Sequence, residues 1–429
     1  MWRKAVRLAL ALMTAATPLA AQVMPSAPDG QPVLAAAQPA ALQALSDSGN
    51  PALDSEIRTH WTLAQTHMSE RAPRAALPHL ERLVTLSPQT ARFRLELARA
   101  LYLVEEDDRA RHHFRFALGG QLSLTEIAAV NDYLRAMDRR KPWQGHARIA
   151  AIRHSNPFHR SGDSFVDIGG LLLLPLPPVA SANGAEIGLG ATYLPRLAPD
   201  LHGRLHVMAT GQFFENNALN RGHLRAELGL LALGDHARQI STGVTVQGAF
   251  DRDGQIMRGV GVYAGTQRRF ANRTTLAFRA SADRLTYPRA PRLDGPRYTA
   301  RIEASHVLSP RILIEAGLSL SHHHTQAAFN RRSQGTLTLG GQYAFSGGVQ
   351  AGLETQITRS RVAEANPLLF QHGPERSTKL GITTRLMHRD FTVRGFSPIV
   401  IMGFETRRSN VPTQEFSNFK FSLGATRNF

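Results

Sequence analysis

Three consecutive histidines, His322, His323 and His324, are the residues of this chain whose possible chemistry is easiest to name. Neutral imidazole nitrogens bind zinc and copper, so a histidine run is a candidate metal site. The residues around this run alternate as in a β-strand, where neighbouring side chains point to opposite faces. Because the three rings cannot easily reach one ion, we expect no metal here.

Acidic and nucleophilic groups are candidates for a calcium site or for catalysis. Asp251 and Asp253 lie in the phrase Asp-Arg-Asp-Gly, and carboxylates are the ligands that calcium prefers. This phrase lacks the further oxygens that the ion needs, so it predicts a hairpin turn. Arg/Glu pairs inside strands would suit a barrel protease or lipase, but no Ser/His/Asp phrase accompanies them. We expect no enzyme and no cofactor, and we interpret these charges as the lining of a wet interior.

Composition narrows the class of protein further. The chain has 429 residues, which suggests two or three structural parts. It contains no cysteine, which excludes disulfides, thiolate nucleophiles and cysteine-bound zinc. The formal net charge is +17, but the basic residues are dispersed and form no block beside aromatic residues. We therefore expect no nucleic-acid partner, and consider anionic lipid or an acidic partner instead.

The N-terminus is typical of an exported protein. Residues 1–21 begin with Arg3, Lys4 and Arg7, continue with an apolar run, and end in small residues, as a signal peptide does. The alternative, a transmembrane anchor, would need about 20 apolar residues, and this run is shorter. Residues 22–52 are rich in Ala, Pro, Gln and Ser, which predicts a flexible linker.

Residues 53–143 follow a helical period and contain an internal repeat with an offset of 34 residues. The matched positions are Leu63, Ala64, Ala76 and Leu80 in the first unit, and Leu97, Ala98, Ala110 and Phe114 in the second. This period, with small residues where helices cross, is typical of tetratricopeptide repeats. The sequence predicts a short helical domain whose concave surface receives a polypeptide. A simple spacer is the alternative. Pro142 and Trp143 mark the junction, because proline ends the helical pattern.

After this junction, residues 144–429 alternate between apolar and polar side chains in segments of strand length. One face is apolar, and the other carries Arg, Glu, Gln, Thr, His and much Gly. We count 14 such strands, an even number, as single-chain bacterial barrels have. Antiparallel strands closed into a barrel satisfy their backbone hydrogen bonds inside lipid. Residues 164–176 do not alternate, and are either a fifteenth strand or, as we favour, a loop tucked into the lumen.

The last strand shows the pattern most clearly. Phe421 and the terminal Phe429 lie on its apolar face, and Gly424 lies on the polar face. A strand that ends the chain on an aromatic residue is typical of an outer-membrane barrel. We interpret Phe421, Gly424 and Phe429 as a signal for the barrel-assembly machinery, with packing against lipid as the alternative.

Four phrases carry a resemblance to a known family. They are Leu-Glu-Leu-Ala-Arg-Ala-Leu at 95–101, His-His-Phe-Arg-Phe-Ala-Leu at 112–118, Arg-Lys-Pro-Trp at 140–143 and Gly-Ala-Thr-Arg-Asn-Phe at 424–429. With them, residues 53–429 resemble the surface lipoprotein assembly modifier family.

The resemblance implies an α+β multi-domain chain: a tetratricopeptide-like helical domain in the periplasm, followed by a 14-stranded antiparallel transmembrane β-barrel in the bacterial outer membrane. It implies a translocation factor that delivers a client surface lipoprotein, or a secreted haem- or metal-binding protein, from periplasm to cell surface. The expected partners are this client, the barrel-assembly machinery and outer-membrane lipid. The alternative is a passive porin or channel with a periplasmic interaction domain.

Overall fold

The computed structural model describes residues 50–429 apart from residues 141, 169–171, 235–237, 271–272, 346–347, 389–390, 392, 394 and 429. All of the described residues belong to one compact unit, Ala36–Phe429. The predicted signal peptide at 1–21 and nearly all of the predicted linker at 22–52 lie outside the described residues, as does Phe429.

In the described part of the chain, five helices precede the strands. They are α1 (Pro51–Ser69), α2 (Pro73–Leu86), α3 (Ala91–Leu103), α4 (Asp107–Ala117) and α5 (Leu124–Arg140). Helix α1 begins at Pro51 because the Asn50 side chain accepts a hydrogen bond from the backbone N–H of Ala52 at 3.1 Å. None of the described helices is both long and apolar enough to cross a membrane.

The repeat positions lie where the helices cross, with one exception. Seven of the eight are buried: Ala64, Ala76, Leu80, Leu97, Ala98, Ala110 and Phe114. The buried face of α1 is formed by Ile57, Trp61 and Ala64, which follow a helical spacing. Leu63 lies off this face and is 40% exposed, so its predicted packing role is corrected.

Fourteen of the strands form a closed antiparallel barrel. In chain order the strands are β1 (Trp143–His154), β2 (Phe165–Ile168), β3 (Leu172–Pro175), β4 (Ala182–Tyr193), β5 (Arg196–Ala198), β6 (Leu201–Phe214), β7 (Arg221–Gly234), β8 (Arg238–Asp251), β9 (Gly254–Phe270), β10 (Thr274–Thr286), β11 (Gly295–Ser309), β12 (Ile312–His323), β13 (Arg332–Ala344), β14 (Val349–Val362), β15 (Arg376–His388), β16 (Ser397–Ser409) and β17 (Phe416–Asn428). Strand β17 closes the barrel against β1, and β4 pairs directly with β6. The predicted 14-stranded fold is confirmed.

The barrel is apolar outside and polar inside. Outward residues such as Leu228, Val260 and Leu339 are more than half exposed, whereas the inward Thr245 and Asp283 are buried. A protein folded in water shows the opposite distribution. We call the outward-facing apolar residues of the barrel strands the apolar belt, and it fits the hydrocarbon of a bilayer.

The two ends of the barrel differ in the length of their connections. At one end, which we call the turn end, β11 and β12 are joined through residues 310–311 and β9 and β10 through residues 271–273. At the other, the loop end, residues 155–181 and 363–375 form long connections.

Strands β2 and β3, in the segment at 164–176, form a two-stranded sheet outside the barrel, which we call the hairpin. Strands β2 and β3 pair only with each other, so the segment is not a fifteenth barrel strand. Its side chains Phe165 and Leu173 are exposed, and the backbone carbonyl of Asp167 accepts a hydrogen bond from Gln371 at 2.8 Å. Because Gln371 belongs to the loop at 363–375, the hairpin lies at the loop end.

Candidate functional site

One wall of the lumen carries a charged network. The Glu227 carboxylate is 2.7 Å from Arg279, 3.0 Å from Arg225 and 3.3 Å from Arg204. Arg279 also lies over the ring of Tyr263, 4.0 Å from its centroid. A buried carboxylate is costly unless it is paired, and the three guanidinium groups provide that pairing. This sector is therefore a fixed, cation-rich surface.

Another wall, formed mainly by β11 to β15, is lined by hydroxyl and amide groups. It borders a cavity of about 800 Å³, whose lining includes Thr336, Thr338, Gln356, Thr358 and Ser360. The hydroxyls of Thr336 and Thr358 are 3.0 Å apart across neighbouring strands. Because a hydroxyl both donates and accepts, this surface can form hydrogen bonds with the backbone of a polypeptide in many registers.

The loop after β1 folds against the lumen wall. Its His159 contacts the Glu405 carboxylate at 2.9 Å and stacks on Phe416 with ring centroids 4.3 Å apart. Glu405 is also 2.7 Å from Lys420 and 2.8 Å from Lys379. The start of this loop is thus anchored inside the barrel, while the hairpin that follows is exposed.

Helix α4 crosses the turn end of the barrel. At its start, Asp108 accepts a hydrogen bond from the Asn428 side chain of β17 at 2.8 Å. Just beyond its end, the Gly120 carbonyl accepts one from Arg273, between β9 and β10, at 2.7 Å. Strand β17 and the β9–β10 turn lie on opposite sides of the barrel.

The helix is long enough to span just over half of the mouth. Its 11 residues span about 16 Å, and a 14-stranded barrel is roughly 28 Å wide between backbones. Helix α4 therefore lies across the turn-end mouth, and we call it the cover.

The cover is held by close packing as well as by hydrogen bonds. Phe116 is buried in a cluster with Val307, Leu313 and Ala344 of the barrel wall. Gly119 fits directly against the wall, because a Cβ atom there would lie 2.5 Å from the backbone of Ser309. Burial of a large apolar side chain stabilises such a contact by a few kcal/mol. The helical domain is thus docked on the barrel.

Arg115 places positive charge in this mouth. Its side chain is exposed to solvent in the mouth, but the protein atoms crowded around it are the largest cause that lowers the pKa of its guanidinium, and Arg111 lowers it further. Glu315, which faces the lumen from β12, and Asp108 act in the opposite direction. Helix α4 and the barrel wall therefore interact through the opposite charges of Arg115 and Glu315 as well as through the packing of Phe116.

The predicted junction joins the two domains at the turn end. The Pro142 carbonyl accepts a hydrogen bond from the backbone N–H of Leu194 at 2.7 Å. Trp143 begins β1 and stacks on Tyr193, with ring centroids 4.4 Å apart. Both rings lie at the end of the apolar belt, where aromatic residues concentrate in transmembrane barrels.

The predicted assembly signal lies on the closing strand. Phe421 faces outward and is partly exposed, and Gly424 faces β1 so closely that a Cβ atom would lie 2.1 Å from the Ile149 carbonyl oxygen. Phe429 lies outside the described residues. The structure thus brings Phe421 and Gly424 to the barrel seam, and their role in assembly stays a prediction.

The candidates for metal chemistry lie in ordinary strand and turn positions. His322 Nδ1 is 2.8 Å from the Ser333 hydroxyl on the next strand, and its ring is 6.1 Å from that of His324. Asp251 accepts a hydrogen bond from the Asp253 backbone N–H at 2.9 Å. Gly254 follows with a φ of +107°, which glycine adopts readily in a tight turn.

The cover is the structural feature that sequence reasoning missed. Phe116 belongs to a phrase that carries the family resemblance, but nothing in its helical period separates a residue facing another helix from one facing a barrel. The usable signal was Gly119-Gly120, two small residues directly after a helix. Glycine there permits close backbone approach as well as helix termination.

These features define the class of protein. A closed antiparallel barrel with an apolar belt and a polar lumen is a transmembrane β-barrel of the bacterial outer membrane. A family model described as "Surface lipoprotein assembly modifier" matches residues 175–429, which is more than half of the chain. The chain therefore belongs to the surface lipoprotein assembly modifier family. This family and this fold are those of outer-membrane barrel proteins, not of known enzymes.

Solved structures that align with the chain are distant in sequence. A "Bacterial polysaccharide outer membrane secretin" is 11% identical, with 66% of this chain and 98% of that chain covered and a TM-score of 0.35. An "Anion-selective porin from Comamonas acidovorans" is 10% identical, with coverage of 67% and 98% and a TM-score of 0.36. The "TodX monoaromatic hydrocarbon channel deltaS2 mutant" is 10% identical, with coverage of 68% and 92% and a TM-score of 0.38. No curated protein matches the chain.

Proposed function

We propose that this protein is an outer-membrane translocation factor that delivers a client from the periplasm to the cell surface. The client is a lipoprotein, as the family description suggests, or a secreted haem- or metal-binding protein. In this proposal residues 1–21 direct export, the helical domain at 53–143 stands in the periplasm and receives the client, and the barrel at 144–429 is the conduit. The barrel-assembly machinery inserts the protein through its last strand, and outer-membrane lipid surrounds the apolar belt.

The observation that carries the proposal is helix α4 across the turn-end mouth. A barrel that only admits small solutes gains nothing from a packed helical domain over its entrance. A barrel that passes a polypeptide needs an entrance that is closed at rest, and needs a surface that holds the client beside it. In this proposal the client displaces the contacts of Phe116 and Asp108 as it enters.

The lumen wall supports passage of an extended chain. The hydroxyl-lined sector around Thr336 and Thr358 offers many equivalent hydrogen bonds. Each such bond exchanges with water at a net gain of only about 1 kcal/mol, so a chain can move from one to the next. The cation-rich sector around Glu227 holds acidic segments loosely through screened attraction.

Deletion of residues 53–143 tests the presenting role. We expect the barrel to assemble but the client to stay in the periplasm, because nothing then holds it at the mouth. The client is a lipoprotein or small haem-binding protein encoded by a neighbouring gene, and antibody labelling of whole cells measures its display. Heat-modifiable migration on gels controls for barrel folding. If display is unchanged in cells with a folded barrel, the presenting role is wrong.

A further inference from the structure

Four arginines form a cluster on the outer surface at the loop end. Arg359 and Arg361 lie on β14, Arg376 on β15 and Arg408 on β16. Arg361 is directly opposite Arg376, and Thr378 lies between Arg359 and Arg408 in the next row. All four arginines alternate in phase with the apolar belt, so they face outward, and all four are exposed.

The cluster has no ion-paired counter-charge among the described residues. None of the four guanidinium groups has an ion pair or a side-chain hydrogen bond among the described residues. By the alternation of the strands, every Asp and Glu on the described barrel strands faces the lumen. These acids are therefore on the opposite face of the barrel wall from the four arginines. Like charges directly opposite on neighbouring strands, about 5 Å apart, destabilise a sheet. An anion on the outer surface would remove that repulsion.

We infer that the arginines 359, 361, 376 and 408 bind the phosphates of a glycolipid of the outer leaflet, such as lipid A. Arginine guanidinium groups bind phosphate through paired N–H groups. The Thr378 hydroxyl, in the centre of the cluster, is placed to donate a further hydrogen bond. A phosphorylated glycolipid fits the site better than a free anion, because it also carries acyl chains.

The apolar belt directly beside the cluster supplies the surface for those chains. Ile357, Ile382 and Phe404 face outward on the same three strands, and all are exposed. A ligand that spans the cluster and these residues is anionic at one end and apolar at the other. The inference rests on the orientation in the proposed function, in which the loop end faces the cell exterior and hence the leaflet that holds this glycolipid.

The test uses the purified full-length protein in detergent. Native mass spectrometry measures retention of bisphosphorylated lipid A by the wild-type protein and by the double variant Arg361→Gln with Arg376→Gln. We expect the variant to bind at least about tenfold more weakly, because two charge-assisted phosphate contacts are lost. The matched control is Arg268→Gln with Arg427→Gln, which removes two outward arginines at the turn end. That control should bind lipid A as the wild type does.

Two further ligands test whether the cluster prefers the glycolipid to other anions. Phosphatidylglycerol should be retained poorly, and millimolar inorganic phosphate should not displace lipid A. Equal retention of lipid A by both double variants would overturn the inference, and so would equal retention of phosphatidylglycerol. The assay needs no client, so its result is independent of client delivery. Lipid A binding can be disproved while the delivery proposal holds, and it can be confirmed while the delivery proposal is wrong.

Discussion

A covalent link between Asp108→Cys and Asn428→Cys will stop client delivery. The outer atoms of these side chains are hydrogen-bonded at 2.8 Å, so a short thiol-reactive crosslinker that can be cleaved by reduction can join cysteines at the two positions. The link holds helix α4 across the mouth, and the client then cannot displace it. The natural chain has no cysteine, so the introduced pair provides the only thiols of the protein. We expect display to fall to the level of a strain without the protein, and to return after reduction.

A second cysteine pair separates closure of the mouth from crosslinking as such. Thr406→Cys with Ser417→Cys joins neighbouring strands on the outer face of the barrel, where the native hydroxyls are 3.0 Å apart. This link leaves helix α4 free, so display should stay near normal. The single variants Asp108→Cys and Asn428→Cys should also deliver the client. Full delivery with the Asp108–Asn428 pair completely bridged would show that the cover need not move.

Substitution Phe116→Glu will have the opposite effect and open the barrel. The ring is buried against Val307, Leu313 and Ala344, and loss of such a side chain costs on the order of 3–5 kcal/mol. A carboxylate in the same cluster adds a desolvation cost. We expect the docked state to weaken by roughly a hundredfold or more. Ion conductance in planar bilayers and sensitivity of cells to large antibiotics should both rise.

Two variants show whether undocking of helix α4 causes the rise in conductance. Val307→Glu places the same charge in the same cluster from the barrel side and leaves the helical domain unchanged, so it should raise conductance too. Leu124→Glu adds the charge at a highly exposed position of the helical domain and should have no effect. A conductance that stays at the wild-type level in both cluster variants would mean that helix α4 does not close the mouth.

The barrel could be predicted from sequence because its chemistry is strictly periodic. Each strand must turn apolar side chains to lipid and polar ones to water, and a shift of one residue would reverse every side chain. The alternation of Leu337 and Leu339 with Thr336 and Thr338 therefore fixes both the strand and its faces. The even strand number follows from the same count.

The contact between the two domains could not be predicted in this way. Phe114 and Phe116 are two residues apart and lie on different faces of the helix, and the sequence does not show that Phe114 packs inside the helical domain whereas Phe116 packs on the barrel. Leu63 was assigned from its repeat offset, although the inward face of α1 is set by Trp61 and Ala64. A repeat identifies equivalent positions, whereas burial depends on what the neighbouring domain covers.

Client passage through the lumen, the central claim, is tested most directly by photo-crosslinking. A photoreactive amino acid is placed at Thr358, which faces the lumen, or at Ile357, the adjacent residue that faces lipid. The two positions are adjacent on the same strand and lie at the same depth in the membrane. During delivery we predict a client crosslink from position 358 and none from position 357. A client crosslink from 357 alone, or from neither position while display proceeds, would contradict passage through the barrel.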